Sequence, residues 1–248
     1  MIKYRNKILF IISILLIIFT NSCKKDCYTG AGEESERSLT VGNFNKLNLS
    51  NNFIIHLIQD SLNIVEIKGN KNIIDNISAE INEQTLSFKN QTNCSLFKGY
   101  HKQHLYVHFT ELEEIFIINS PEIYSTDTLR LNHLFIEDKG DIAKWNLIIN
   151  ANNLHISLQA IVGEMTISGI CDKVSLYTSG SNHCLFENLQ CRYADINHSS
   201  AGNIYLSIQE ELHLQLFSSG NFYCFGNPLS KSIRQSPESK GEIIFKTQ

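Results

Sequence analysis

Ser199-Ser200-Ala201-Gly202-Asn203-Ile204-Tyr205-Leu206 is followed after a short interval by Ser218-Ser219-Gly220-Asn221-Phe222. A small residue, then a polar one, then an apolar one that opens an alternating run is the corner of a solenoid coil. Working backward, the order returns at Ser179-Gly180-Ser181-Asn182-His183-Cys184, Val162-Gly163-Glu164-Met165 and Lys139-Gly140-Asp141-Ile142. With Pro121, Gly140, Gly163, Asn182, Gly202 and Gly220 placed at one corner, each coil is about twenty residues long.

Between the corners run short alternating stretches. They are Leu112-x-x-Ile115-x-Ile117, Leu131-x-x-Leu134-x-Ile136, Leu154-x-Ile156-x-Leu158, Val174-x-Leu176, Ala194-x-Ile196 and Leu212-x-Leu214-x-Leu216. A period of two is a strand with one buried face. No stretch has the period of a long amphipathic helix. The repeat therefore predicts an all-β, right-handed parallel β-helix, a single-chain solenoid with three short strands per coil. An antiparallel β-sandwich is the alternative, because alternation between Gly-Asn turns also suits hairpins. Alignment of like on like favours the solenoid.

Upstream, Phe44-x-x-Leu47-x-Leu49, Phe53-x-Ile55-x-Leu57, Ile64 to Gly69 and Leu86 to Lys89 alternate as strands. Asn70 to Ile77 reads as a short helix or turn with Ile73, Ile74 and Ile77 inward. Phe44–Leu57 is expected to cap one end of the solenoid and the Pro228–Ile243 tail the other, since open strand edges invite pairing.

The N-terminus reads as an export signal. Lys3, Arg5 and Lys7 precede an apolar run from Ile8 to Phe19, which is shorter than the roughly twenty residues a membrane-spanning helix needs. Cys23, after Ser22 and before Lys24-Lys25, resembles the lipidated cysteine of a bacterial lipoprotein, although Thr20 stands where such signals usually carry Leu. The expected layout is a signal at 1–22, a polar tether at 23–43 and one β-helix domain at 44–248. Cys23 would carry a lipid anchoring the protein in the cell envelope, at the outer membrane.

A formal net charge of −4 and a pI near 6.1 provide no basic footprint for nucleic acid. The cysteine spacings form no zinc pattern. Cys171 and Cys191 fall in one column of neighbouring coils; export would permit a disulfide there, but in-register parallel strands strain one. Cys184 aligns with Ile142, Met165 and Ile204 and reads as a small core residue.

Phe44-Asn45-Lys46-Leu47-Asn48-Leu49-Ser50, Phe53-x-Ile55-x-Leu57-x-Gln59, Ile64 to Asn70 and Leu86-Ser87-Phe88 together resemble the opening of the head GIN domain family, also described as putative auto-transporter adhesins. The Ser/Ala-Gly-Asn/Asp-Ile corners and the closing Phe225-Gly226-Asn227-Pro228 and Ser239 to Ile243 are similar to later segments of that family. The resemblance spans about Phe44 to Ile243. It implies a parallel β-helix carried by exported proteins, many of them lipoproteins of Bacteroidetes-type bacteria. This chain departs from the pattern at Lys139, Val162 and Asn182, where corners lack glycine, and in its larger number of Cys and His.

One column could carry chemistry. Glu122, Asp141 and Glu164 each follow a corner residue in the alignment, continued by His183, Asn203 and Asn221. Carboxylates stacked about 4.8 Å apart could hold a cation or supply an acid and a base for glycoside cleavage. Corner acids usually satisfy turn backbone in solvent, and Lys139 and Lys144 read as isolated cations. His104 and His108, four apart on one strand, are too distant to share a metal. The expectation is a non-enzymatic, adhesin-like scaffold or binding module with no cofactor and no metal, meeting a polysaccharide or an envelope protein. The alternative is a carbohydrate-active lyase or hydrolase using Glu122, Asp141 and Glu164. Function would sit on that column or on the loop from Asn90 to Lys102.

Overall fold

The computed structural model describes residues 30–91 and 102–246. The signal, Cys23, Cys27, Cys94, His101 and most of the loop from Asn90 to Lys102 lie outside the described residues.

Among the described residues 67% are strand and 2% helix, wound as a β-helix of about seven turns. The parallel β-helix reading is borne out, and the sandwich alternative falls away. The regular part comprises β8 (Glu114–Ile117), β9 (Glu122–Ser125), β10 (Leu129–Asp138), β11 (Ile142–Leu158), β12 (Val162–Thr178), β13 (Ser181–His198), β14 (Ile204–Leu216), β15 (Phe222–Phe225), β16 (Ser230–Gln235) and β17 (Ile243–Lys246). Long strands such as β11 and β12 bend across a corner and so serve two faces of the coil. One face runs β9-β11-β12-β13-β14-β15-β17 and another β8-β10-β11-β12-β13-β14-β16, all parallel. The alternating apolar residues stack into one core. Leu134, Leu154, Val174, Ala194 and Leu212 form one buried column, and Ile136, Ile156, Leu176, Ile196 and Leu214 the next.

The N-terminal end is built differently. It holds β1 (Glu34–Thr40), β2 (Lys46–Leu49), β3 (Ile54–Gln59), β4 (Ile64–Asn70), helix α1 (Lys71–Ile74), β5 (Ile77–Asn82), β6 (Thr85–Asn90) and β7 (His104–Phe109). β2 pairs with both β6 and β8, and β3 with both β7 and β9. The coil written first is thus the second in space, and the coil of β6 and β7 lies outside it. Phe44–Leu57 is therefore not the cap. The outer rows are antiparallel: β4 lies against β7, β1 against β4, and β5 forms a hairpin with β6 whose turn places Glu83 and Gln84 at positive φ.

Two further expectations are corrected. Residues 34–40, read as tether, are strand β1. Only Leu39 on it packs against the core, so it lacks an apolar signature. It is held by backbone pairing with β4 and by Arg37, whose guanidinium donates 2.9 Å to the Ile77 carbonyl. The Pro228–Ile243 tail supplies a further row, β16, whose side chains are all exposed, and leads into β17. That end is an open rung. Lys231 stands where Leu212 stood one coil earlier and lies over the Phe245 ring.

The corner itself holds two neighbouring columns of small residues. Gly163, Gly202, Gly220 and Gly241 have no room for a Cβ, because the coil below comes within contact distance. At Gly202 a Cβ would lie 2.2 Å from the Asn182 carbonyl, and at Gly220 2.0 Å from that of Gly202. Gly140 belongs to the other column: its Cβ would meet the Asn119 carbonyl at 1.9 Å. The residue stacked on Gly163 is Ala143. The alignment that set Gly140 beside Gly163 slipped by three residues, because either column accepts glycine.

Candidate functional site

That slip decides the fate of the acidic column. The register pairs Glu122 with Lys144 and Lys144 with Glu164, and then Glu164 with His183. Asp141 lies outside the column, at the corner, where its carbonyl accepts the Val162 N–H. Glu122 and Glu164 are consequently two strands apart, about 10 Å, with a lysine between them. The structure does not bring Glu122, Asp141 and Glu164 together, and among the described residues no three His, Cys, Asp or Glu side chains are grouped to hold a metal ion. Cys184 stacks on Met165 and Ile204 as expected, but the same slip puts Trp145 rather than Ile142 in its column.

Glu122 is instead the centre of a clamp. Its Oε1 accepts from Lys102 Nζ at 2.9 Å, and its Oε2 accepts from Lys144 Nζ at 2.9 Å and from the Tyr124 hydroxyl at 2.6 Å. The Tyr124 hydrogen bond, followed by the two lysines, holds this carboxyl down to about 2. A carboxylate so firmly ionised and so fully bonded is unsuited to donating a proton near neutrality. Lys144 is thus not the isolated cation of the sequence reading.

Beside the clamp the outward side chains of β7, β3 and β9 form an aromatic ladder. His56 stacks on Tyr106 with ring centroids 4.4 Å apart, and on Tyr124 at 5.9 Å. His56 Nε2 lies 3.0 Å from His104 Nδ1 with the rings only 12° from parallel, so one ring donates an N–H in line to the other. Burial, and then the charge of His104, lower the His56 pKa. The partner of His104 comes from another coil, so spacing along the chain could not reveal it. The faces of these rings are spent on each other, and Lys68 lies over Tyr106. At the far end Tyr205 and Tyr223 stack at 4.5 Å, with Lys246 over Tyr223.

A second ion ladder stands where the registers of β12, β13 and β14 break between their two halves. Arg192 donates to Asp172 at 2.9 Å and to Glu210 at 2.7 Å, and the Tyr193 hydroxyl donates to Glu210. Farther along the same strands stand His155, Ser175 and Asp195 in one row, where His155 stacks on Phe135 at 5.1 Å, and Ser157, Tyr177 and Asn197 in the next.

Beneath the surface the Asp138 carboxyl and the His198 imidazole are fully buried. Asp138 accepts the Gly140 N–H at 2.8 Å, and burial pushes its carboxyl up to about 6. His198 lies 3.2 Å from the Thr178 hydroxyl, and burial lowers it to about 4. Cys171 and Cys191 do share a column, and both are free thiols, as are Cys184 and Cys224.

The geometry defines a class of protein: a parallel β-helix that carries ladders of paired charges on its outside. The chain belongs to the family described as putative auto-transporter adhesin, head GIN domain, whose model matches residues 43–228. No curated protein matches the chain. Among solved structures it is similar to a putative adhesin from Bacteroides fragilis at 19% identity and a TM-score of 0.78, covering 86% of this chain and 97% of that one. It is also similar to a putative lipid binding protein from Parabacteroides distasonis at 18% identity and TM-score 0.64, covering 88% and 98%. A putative adhesin from Parabacteroides merdae follows at 14% identity and TM-score 0.60, with 88% and 98% covered. At these identities the neighbours establish the fold. The family is one of adhesin-like proteins, consistent with a non-enzymatic role outside the cell or in its envelope. No helix among the described residues is long and apolar enough to cross a membrane.

Proposed function

We propose that this protein is a non-enzymatic, lipid-anchored module of the cell envelope, held by Cys23 at the outer membrane and presenting the β-helix as a binding shaft for polysaccharide or an envelope protein. The observation that supports it most is the Glu122 clamp. The strongest acid candidate is neutralised by Lys102 and Lys144 instead of standing beside a second carboxylate, which leaves hydrolysis or lyase chemistry without its pair. The adhesin family agrees with a role in attachment.

Two measurements test this reading. Growth with a palmitate analogue should label the wild-type chain and not Cys23→Ala, and the variant should leave the membrane fraction; equal labelling would sink the anchor. Incubating the full chain with pectate or chondroitin sulfate should release no new reducing or unsaturated ends. Products that vanish in Glu122→Gln would restore the enzyme.

A further inference from the structure

We infer that the sheet face of β11, β12 and β13 carries a glycan seat centred on Tyr177, for a hydroxyl-rich polysaccharide chain. This rests on the binding-module reading and names its ligand class. Tyr177 is 39% exposed. Among the described tyrosines it is the one whose ring has no stacking or cationic partner; Tyr106, Tyr124, Tyr193, Tyr205 and Tyr223 are all engaged.

The register explains why that ring is open. Directly opposite Tyr177 stand Ser157 on β11 and Asn197 on β13, both too short to wall off its faces. An open tyrosine ring offers an apolar surface to the C–H face of a sugar ring, and nearby polar groups then take the hydroxyls. Those groups are present and uncommitted. Lys173 and Asp195 are exposed, and among the described residues their side chains carry no hydrogen bond or ion pair, unlike the saturated Glu122, Arg192 and Glu210. Ser175 lies directly opposite Asp195. Asn197 accepts from Ser199 through Oδ1, which leaves its amide N–H groups to donate. A shallow hollow of about 150 Å³ lined by Lys173, Tyr193, Asp195, Glu211 and His213 adjoins the seat.

A protein partner would demand an apolar centre ringed by polar groups. Here one open aromatic ring is bordered by Ser157, Ser175 and Asn197, with Asp195 diagonal to it and Lys173 four residues, about 13 Å, back along β12, a span that several sugar units of one chain would cover. That composition matches a polymer rich in hydroxyls.

Affinity electrophoresis of the full chain through gels containing laminarin, mannan, arabinogalactan or chondroitin sulfate tests the seat. The wild type should be retarded by at least one polymer. Tyr177→Ala should weaken that retardation by about tenfold or more, while Tyr177→Phe keeps it and Tyr223→Ala, in the stacked ladder, leaves it unchanged. Lys173→Gln with Asp195→Asn should weaken it as well, with circular dichroism confirming that each variant is folded. If Tyr177→Ala is retarded like wild type, the seat is wrong and the binding module stands with its site elsewhere. If no polymer retards the wild type, the glycan inference is overturned, and cross-linking in cells to an envelope protein then judges the module on its own.

Discussion

Glu122 on β9 and Lys144 on β11 face each other across one parallel pairing, carboxylate Oε2 2.9 Å from ammonium Nζ. An acidic ladder was expected where the fold builds alternating charge. Like charges opposed on neighbouring strands repel, and opposite charges hold register. Lys144→Glu would install the acidic column that the alignment anticipated. It should lower the thermal midpoint at low salt, with much of the loss recovered at high salt, as screening requires. A midpoint independent of salt would show that the clamp is incidental.

The same clamp has an acid limit. Its folded pKa lies at about 2, below the ordinary 4.5, so its stabilisation is whole above pH 4.5 and is lost as pH falls toward 2. Glu122→Gln should remove that part of the acid transition. Because the group is partly solvated, the contribution at neutral pH is on the order of 1 kcal/mol or less. Urea melts across this range would detect it.

Asp138 and His198 pull stability in opposite directions. Asp138 is raised from 3.8 to about 6, so the folded state binds the extra proton and stability declines as pH rises through that window. His198 is lowered from 6.5 to about 4, so stability declines as pH falls through nearly the same window. The two slopes oppose each other in wild type. Asp138→Asn should expose a stability that falls toward acid, and His198→Gln one that falls toward neutrality, each on the order of 1–3 kcal/mol at its extreme. Parallel profiles for both variants would refute the pairing.

Gly202 and Gly30 make a contrasting pair. A Cβ on Gly202 would sit 2.2 Å from backbone, whereas one on Gly30 meets nothing within 4 Å. Gly202→Ala should cost about 2–4 kcal/mol, since the coil spacing must open, and Gly30→Ala should be close to neutral. Equal chemical-denaturation midpoints would contradict the stacked corner.

Burial raises Cys171 and Cys224 to about 11, and Cys184 and Cys191 further still. All four should resist iodoacetamide in the native protein and react after denaturation, as peptide mapping would read. Alkylation of Cys184 in the folded chain would be inconsistent with a closed core.

The sequence by itself determined the β-helix, its coil length and most of its core. Period-two alternation and small-polar-apolar corners both express backbone geometry that leaves few other folds. Leu134, Ile156, Leu176 and Leu214 needed nothing more to be placed inside. Only the tertiary structure decided which coil lies on which. Between two columns that both tolerate glycine, local pattern cannot choose, and a slip of three residues exchanged Lys144 for Asp141. Nor could order along the chain show that β2 and β3 are clasped between β6–β7 and β8–β9, or that His56 meets His104. Strand β1 was invisible because backbone pairing, rather than apolar burial, holds it. The openness of the Tyr177 ring was likewise decided by its neighbours on the adjoining strands, Ser157 and Asn197, and those are set by register alone.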